Sequence, residues 1–377
     1  MTVVRTGIDR VVRGEIDLTG AGRIGLVTNR AARTTWGQWT GDALSAAGCR
    51  IALILTPEHG LDALAGAGVP IAHDQLDTLP VLSLYGAEDA AVEKAMTDID
   101  ALLVDLPDVG CRYYTYPWTI RRVLALAARH GLPVTLLDRP NPLSGTVIEG
   151  NLPVASLRSA VCASWIPVRH GLTNGELARW NRRYFGLEVE LTVVRVTGWM
   201  RDMRWEQLGL PWVAPSPALV SIEAVRAYPG TCLFEGTNIS EGRGTDQPFQ
   251  LIGAPFLDGS EFAARLSDDE SLVGARVVSI DFTPTTSKWV GEQCHGVTIT
   301  IEDPDRFQPV QAGLALLAGL CMEAKFKFRD AHFDALAGTP EWRLKLEGGA
   351  SAAQITTGWS ADEHLFRHRR AEILLYE

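Results

Sequence analysis

Ile51-Ala52-Leu53-Ile54-Leu55-Thr56-Pro57-Glu58-His59-Gly60 is the stretch on which the fold can be read. A continuous apolar run breaks abruptly into a proline, a carboxylate, an imidazole and a glycine. Apolar residues without polar alternation suit a strand buried on both faces, as in a parallel sheet covered by helices. The same shape recurs at Ile24–Thr28, Val81–Tyr85, Ala101–Leu106 and Val134–Leu137. Stretches with helical spacing lie between several of them, at Gly41–Ala47, Ala90–Thr97 and Trp118–His130. This alternation predicts an α/β fold with a Rossmann-like, doubly wound and mainly parallel sheet. The runs end in polar residues: Thr28-Asn29, Glu58-His59, Tyr85-Gly86, Asp105 to Asp108 and Asp138-Arg139. Ligands of open parallel sheets bind outside the carboxyl ends of the strands, so these clusters mark the edge that carries a site.

Further along the chain, Leu143–Ile166 is irregular, and a helix is expected over Asn174–Tyr184. Thr173 with Glu176 three residues on reads as a capping box at its start. A strand over Glu188–Val196 is expected to join the same sheet. Glycine and proline punctuate Pro211–Pro217 and Pro229–Pro255, which predicts long functional loops. The pattern then changes to strands Ala275–Phe282 and Gly296–Glu302, a helix Val310–Lys325 and two or three more helices. The expected organisation is a Rossmann-like catalytic domain over 1–240 and a smaller auxiliary α+β domain over 241–377.

Of the 377 residues, 46% are hydrophobic and 21% charged, which excludes a disordered chain. The net charge of −10 argues against a nucleic-acid partner, whose phosphates need a basic face. No apolar run reaches the roughly 20 residues that span a membrane. Met1–Asp9 lacks the basic and apolar regions of a signal peptide, so a cytoplasmic location is expected unless export takes another route. The six cysteines form no CxxC pair and are expected as buried free thiols. Nothing in the sequence sets the oligomeric state.

GxSxG, HExxH, a Walker loop and GxGxxG after the first strand are all absent, which takes most of the weight from serine-hydrolase, zinc-protease, kinase and dinucleotide readings. Four constellations remain. Glu58 and His59 at a strand end suit general acid/base work, or equally a capping carboxylate beside a loop histidine. Asp105, Asp108, Arg112, Tyr114 and Tyr116 combine acids, a carboxylate-binding fork and sugar-stacking rings, with a structural ion pair as the alternative. Asp138, Arg139 and Asn141 sit on a turn made rigid by Pro140 and Pro142; their side chains suit a shared crevice, or equally a purely structural turn with an Asp–Arg pair. Glu235, Asn238, Glu241 and Arg243 lie on a glycine-rich stretch whose backbone is expected to approach a ligand closely. No ligand spacing supports a metal, and no cofactor is predicted.

Taken in order, PEHG at 57–60, DVGCRYYTY at 108–116, DRPNP at 138–142, GLTNGELA at 171–178 and YPGTCLFEGTNISEGRGT at 228–245 resemble the NamZ-type exo-β-N-acetylmuramidases. Gly7-Ile8-Asp9, Thr28-Asn29, Ser287–Thr298 and Leu374-Leu375-Tyr376 extend the resemblance over essentially the whole chain. It implies a glycoside hydrolase with its site between a Rossmann-like and an auxiliary domain, acting in cell-wall recycling. Such an enzyme releases N-acetylmuramic acid (MurNAc) from non-reducing ends of peptidoglycan fragments. On this resemblance Glu58 is the best candidate for the catalytic acid/base, tuned or oriented by His59, and Glu235 or Glu241 is the second carboxylate or positions the 2-acetamido group if that group itself attacks. Arg112 or Arg243 would grip the lactyl carboxylate, Tyr114, Tyr116 or a tryptophan would stack on the sugar, and Asn29, Asp105, Asp108, Asp138, Arg139, Asn141 and Asn238 would line the pocket. A non-catalytic muropeptide sensor and a metal-dependent amidase or esterase are the alternatives.

Overall fold

The computed structural model describes residues 3–71, 74–76 and 78–377. Its larger sheet is built from β1 Arg23–Val27, β2 Arg50–Thr56, β3 Asp74–Leu76, β4 Leu79–Ser83, β5 Ala101–Val104, β6 Val134–Leu137 and β7 Leu191–Val194. The spatial order is β3-β4-β2-β1-β5-β6-β7. All neighbours are parallel except β3, which pairs antiparallel with β4 at the edge. The five apolar runs are all strands of this sheet, as expected, and β7 is the centre of the expected Glu188–Val196 strand. β3 was not expected, because Asp74-Gln75-Leu76 is too short and polar to register as a strand; only an edge position tolerates it.

Strand residues divide between two cores, as the two-residue period of a strand requires. Leu102 and Val104 of β5 and Val134 and Leu136 of β6 pack with Ile120, Val123 and Leu124 of α4 (Thr115–His130) and Leu177 of α5 (Asn174–Tyr184). Leu103 and Leu137 point the other way. They meet Ile8 and Val11 of α1 (Gly7–Val12) and Ala43 and Leu44 of α2 (Thr40–Ala46). Each buried leucine or isoleucine contributes about 1.5–3 kcal/mol, which fixes the register against slippage. The capping box of α5 is present: Glu176 N donates to Thr173 Oγ1 at 3.2 Å and Thr173 N to Glu176 Oε2 at 3.0 Å. The helix α3 (Asp89–Met96) follows β4.

After the short α6 (Trp205–Leu208) the structure departs from the expectation of loops at Pro229–Pro255. α7 runs Ile222–Thr231 through Pro229, a tight turn follows at Cys232–Gly236, and Leu251–Ala254 forms β8. The Pro229-Gly230 pair reads as a turn in sequence, yet Gly230 marks a helix crossing. A Cβ at Gly230 would lie 1.9 Å from the Pro309 carbonyl oxygen, and one at Gly313 2.4 Å from the Gly230 carbonyl oxygen. The backbones of α7 and α9 (Pro309–Leu320) touch there, with α8 (Gly259–Leu266) between them in sequence. β8, β9 (Ala275–Phe282) and β10 (Cys294–Ile301) form a separate antiparallel sheet, order β8-β10-β9. α10 Asp330–Ala337, α11 Glu341–Glu347, α12 Ala352–Thr356 and α13 Ser360–Arg370 complete the chain.

The C-terminus returns to the first sheet. Tyr376 donates to Asp138 Oδ2 at 2.5 Å, and Leu375 N to Glu176 Oε1 at 2.9 Å. All six cysteines are free thiols; five are buried, and Cys321 is half-buried. Among the described residues no helix is long and apolar enough to cross a membrane.

Candidate active site

Glu58 stands just past the end of β2, after Pro57, and is 5% exposed. Its two oxygens have different donors: Gly68 N at 2.6 Å on Oε1 and the Thr115 hydroxyl at 2.6 Å on Oε2. The first bond closes the segment after β2 into a hoop, and the second ties Glu58 to the first turn of α4. No cation forms an ion pair with Glu58 among the described residues. His59 has φ +75°, a left-handed conformation uncommon outside glycine and a feature of functional turns. Its Nδ1 lies 2.7 Å from the Ala65 carbonyl, so Nδ1 carries the proton and Nε2 is left as the acceptor. Burial lowers its pKa, although Glu58 opposes this. The imidazole stacks on Tyr114, ring centres 6.5 Å apart.

These residues line a cavity of about 300 Å³ together with Glu235, Arg243, Arg329 and His332. A second cavity of about 420 Å³ adjoins it, sharing Ala67, Glu235, Arg243, Arg329 and His332, and adds Glu241 and Lys288. The cleft therefore joins the strand-end residue Glu58 to residues from the turn after α7 and the start of α10. Sizes of this order suit one or two sugar units.

The electrostatics separate its carboxylates. Burial would raise the Glu235 pKa, but Arg243 overrides it, helped by His332 and Lys288, and holds the group at about 2. Arg243 Nη2 meets Glu235 at 2.5 Å, and its Nε meets Glu241 at 3.2 Å. Its guanidinium also lies 4.8 Å over the Phe249 ring. Glu241 receives Lys288 Nζ at 2.8 Å, and that ammonium donates as well to the Phe234 and Ile239 carbonyls. Glu241 is thus clamped between two cations and acts as a support for Arg243.

Several expected pocket residues turn out to hold the scaffold. Asp105 is fully buried and bound by Arg139 Nε at 2.5 Å, Arg139 Nη2 at 2.8 Å and Thr40 at 2.5 Å. Asp138 accepts from Thr173, Gly175 N and Tyr376, and burial raises its pKa to about 6. Asn29 donates to the Tyr116 hydroxyl at 2.6 Å, and Tyr116 in turn donates to the Pro215 carbonyl. Asn141 spans Leu143 N and the Leu172 carbonyl. Asn238 fastens the 325–327 segment through the Lys325 carbonyl and Lys327 N. Asp108, with a pKa pushed up to about 6 by burial, faces His170 at 3.9 Å and a separate small cavity that Arg139 also lines. Tyr114 alone of the expected stacking pair lines the Glu58 cavity.

Arg112 departs most from expectation. It is 1% exposed, and its guanidinium donates to the carbonyls of Asn151, Ile166, Leu336 and Ala337 at 2.7–3.1 Å. It is a strut joining the first sheet's loops to α10: its four Nη hydrogens are taken by carbonyls, and the Nε that lacks a partner is buried, out of reach of a substrate carboxylate. Arg112→Met strands four buried acceptors, so a loss of about 3 kcal/mol or more in stability is expected. Chemical denaturation checks this; an undiminished midpoint with altered substrate preference would return Arg112 to a binding role.

The glycines of the 236–244 stretch are closely packed as well as near the site. Gly242 (φ +74°) and Gly244 (φ +82°) pack against protein, and Gly244 also lines the larger cavity, as expected of this stretch. A Cβ at Gly244 would lie 2.4 Å from Thr286 N, and one at Gly242 3.0 Å from both the Gln247 carbonyl oxygen and Leu251 Cβ. Their substitution therefore costs stability. Tyr85 lies in one of the expected strand-end clusters, whereas Thr115, Lys288, Arg329 and His332 were not picked out as site residues. Thr115 and Lys288 lie inside motif-like stretches, whereas Arg329 and His332 carry no local signal, since only the packing of α10 against Gly236 brings them to the cleft.

Comparison with known proteins gives the same layout a family. Residues 24–223 match the N-terminal model of the exo-beta-N-acetylmuramidase NamZ, and residues 226–376 its C-terminal model. The chain is 38% identical over 379 aligned residues to the peptidoglycan beta-N-acetylmuramidase NamZ of Bacillus subtilis strain 168, covering 99% of this chain and 91% of that protein. Two crystal structures of DUF1343 family proteins from Bacteroides fragilis are similar. One has a TM-score of 0.90 at 28% identity with both chains fully covered. The other has 0.80 at 29% identity with 99% of each covered. With both halves matched and the fold shared from end to end, the chain belongs to the NamZ family of exo-β-N-acetylmuramidases, which are glycoside hydrolases.

Proposed function

We propose that the Glu58 cavity receives the non-reducing-end MurNAc of a peptidoglycan fragment and that the protein hydrolyses the bond linking it to the next sugar. The observation that carries the reading is one cavity bordered by two carboxylates in opposed environments. Glu235 is pinned ionised by cations, whereas Glu58 has only neutral donors. A carboxylate held by cations suits a fixed negative charge, and one held only by neutral donors is the better placed to carry a proton to the leaving oxygen. Glu58 protonates the glycosidic oxygen as its bond to the anomeric carbon breaks. Glu235 faces the positive charge that develops on that carbon, and a water oxygen completes the substitution while its proton passes to a carboxylate. His59 orients the hoop through Ala65, and Tyr114 offers a face to the sugar ring. Hydrolysis in this form needs no cofactor.

Incubation with 4-nitrophenyl β-MurNAc tests the reading. Release of nitrophenol with free MurNAc, unaffected by EDTA, is the expected result. Tight binding without turnover would mark a sensor, and activity lost to EDTA and restored by Zn²⁺ a metal-dependent hydrolase.

A further inference from the structure

The cleft's cations can be accounted for one by one. Arg243 is shared between Glu235 and Glu241 and stacks on Phe249. Lys288 has three acceptors: two carbonyls and Glu241. Arg112 is sealed under four carbonyls away from the cleft. His332 faces Glu235 at 4.0 Å. Arg329 differs from all of these. It is exposed, lines both cavities, and its guanidinium makes only a long 3.4 Å contact to the Glu235 carbonyl among the described residues. No carboxylate among the described residues pairs with it. Its backbone, by contrast, is fixed: Arg329 N donates to the Gly236 carbonyl at 2.8 Å, and its carbonyl accepts from His332 N and Phe333 N at 2.9 Å.

The charge balance gives this position its meaning. Glu235 and Glu241 are matched by Arg243 and Lys288, so the charge of Arg329 is the surplus on this side of the cleft. An anchored stem carrying an unpaired planar fork is suited to a ligand carboxylate. We infer that Arg329 reads the lactyl carboxylate of the terminal MurNAc and thereby sets the preference for MurNAc over N-acetylglucosamine (GlcNAc), which lacks that group. This assignment rests on the glycosidase reading above and replaces both Arg112 and Arg243 as the lactyl-binding residue.

The test compares kcat/KM for 4-nitrophenyl β-MurNAc, its lactyl methyl ester and 4-nitrophenyl β-GlcNAc in the wild type, Arg329→Gln and Arg329→Lys. The wild type is expected to favour free-acid MurNAc over both other substrates. Arg329→Gln should shrink that preference about tenfold, chiefly through KM, the modest size that an exposed charge pair allows. Arg329→Lys should keep part of it, because the charge remains while the fork is lost. Thermal unfolding of each variant shows whether the fold is unchanged. An Arg329→Gln enzyme with the wild-type MurNAc-to-GlcNAc ratio overturns the inference, as does a wild type indifferent to esterification. A wild type that hydrolyses none of the three glycosides instead overturns the glycosidase reading, and the role of Arg329 falls with it.

Discussion

Glu58→Gln is expected to lower kcat on a MurNAc-terminated disaccharide by about 10²–10⁴-fold, the range that a positioned proton donor contributes. Glutamine keeps the shape: its carbonyl oxygen can accept from Gly68 N while its NH2 group donates to the Thr115 hydroxyl, which can turn to accept, so the fold should be retained. The loss should depend on the leaving group. A sugar alkoxide needs its proton during bond cleavage, whereas nitrophenolate leaves readily without one. The variant should therefore be much less impaired on 4-nitrophenyl β-MurNAc than on the disaccharide. Near wild-type turnover of the disaccharide would place the acid elsewhere. Equal losses on both substrates would move Glu58 from proton donation to the anomeric centre.

Glu235→Gln should reduce kcat by about 10²–10³-fold on both substrates alike, because the charge it supplies is needed whatever group departs. Arg243 would still have Glu241 at 3.2 Å, and Lys288 would keep its three acceptors, which limits the structural damage. The pH behaviour distinguishes the two carboxylates further. Glu235 is held at about 2, below its ordinary value of 4.5. A carboxylate depressed on folding contributes stability that is complete above the unfolded pKa and is lost as pH falls through the folded one. Its contribution should thus fade between about pH 4.5 and pH 2 and be missing from Glu235→Gln. For the same reason no limb of the rate profile above pH 4 should belong to Glu235, and the variant's residual activity should keep the wild-type shape there. A limb near neutrality that vanishes in Glu235→Gln would contradict the assignment.

The two carboxylates differ in how far sequence could reach them. Glu58 was legible because it stands at the end of a continuous apolar strand, and in a parallel sheet that position alone places a residue on the ligand edge. Glu235 and Arg243 were legible as members of a dense polar, glycine-rich stretch. Gly244 lines the cleft, as that stretch suggests, and what the sequence did not show is that it also packs on Thr285 and Thr286, a contact between residues distant in sequence, while Gly242 packs on Leu251. The same strand-end logic over-predicted Asn29, Asp105, Asp138 and Asn141. At a crowded sheet edge, buried polar groups must find partners, and these found Tyr116, Arg139, Tyr376 and Leu172 within the protein.

The sequence by itself determined the parallel sheet, its helices and the edge carrying Glu58, since local periodicity and strand-end chemistry are properties of adjacent residues. It also carried the family likeness, spread over motifs from Gly7 to Tyr376. Which charges cancel was decided only by the tertiary structure. Arg112, Arg243 and Arg329 look alike in sequence, each an arginine near polar residues. One is sealed under four carbonyls, one divided between two carboxylates and one left unpaired at the cleft. Side-chain charge acts through space over a few ångströms and is neutralised by whatever the fold brings there, so only the assembled cleft tells a strut from a clamp and a clamp from a substrate-reading residue.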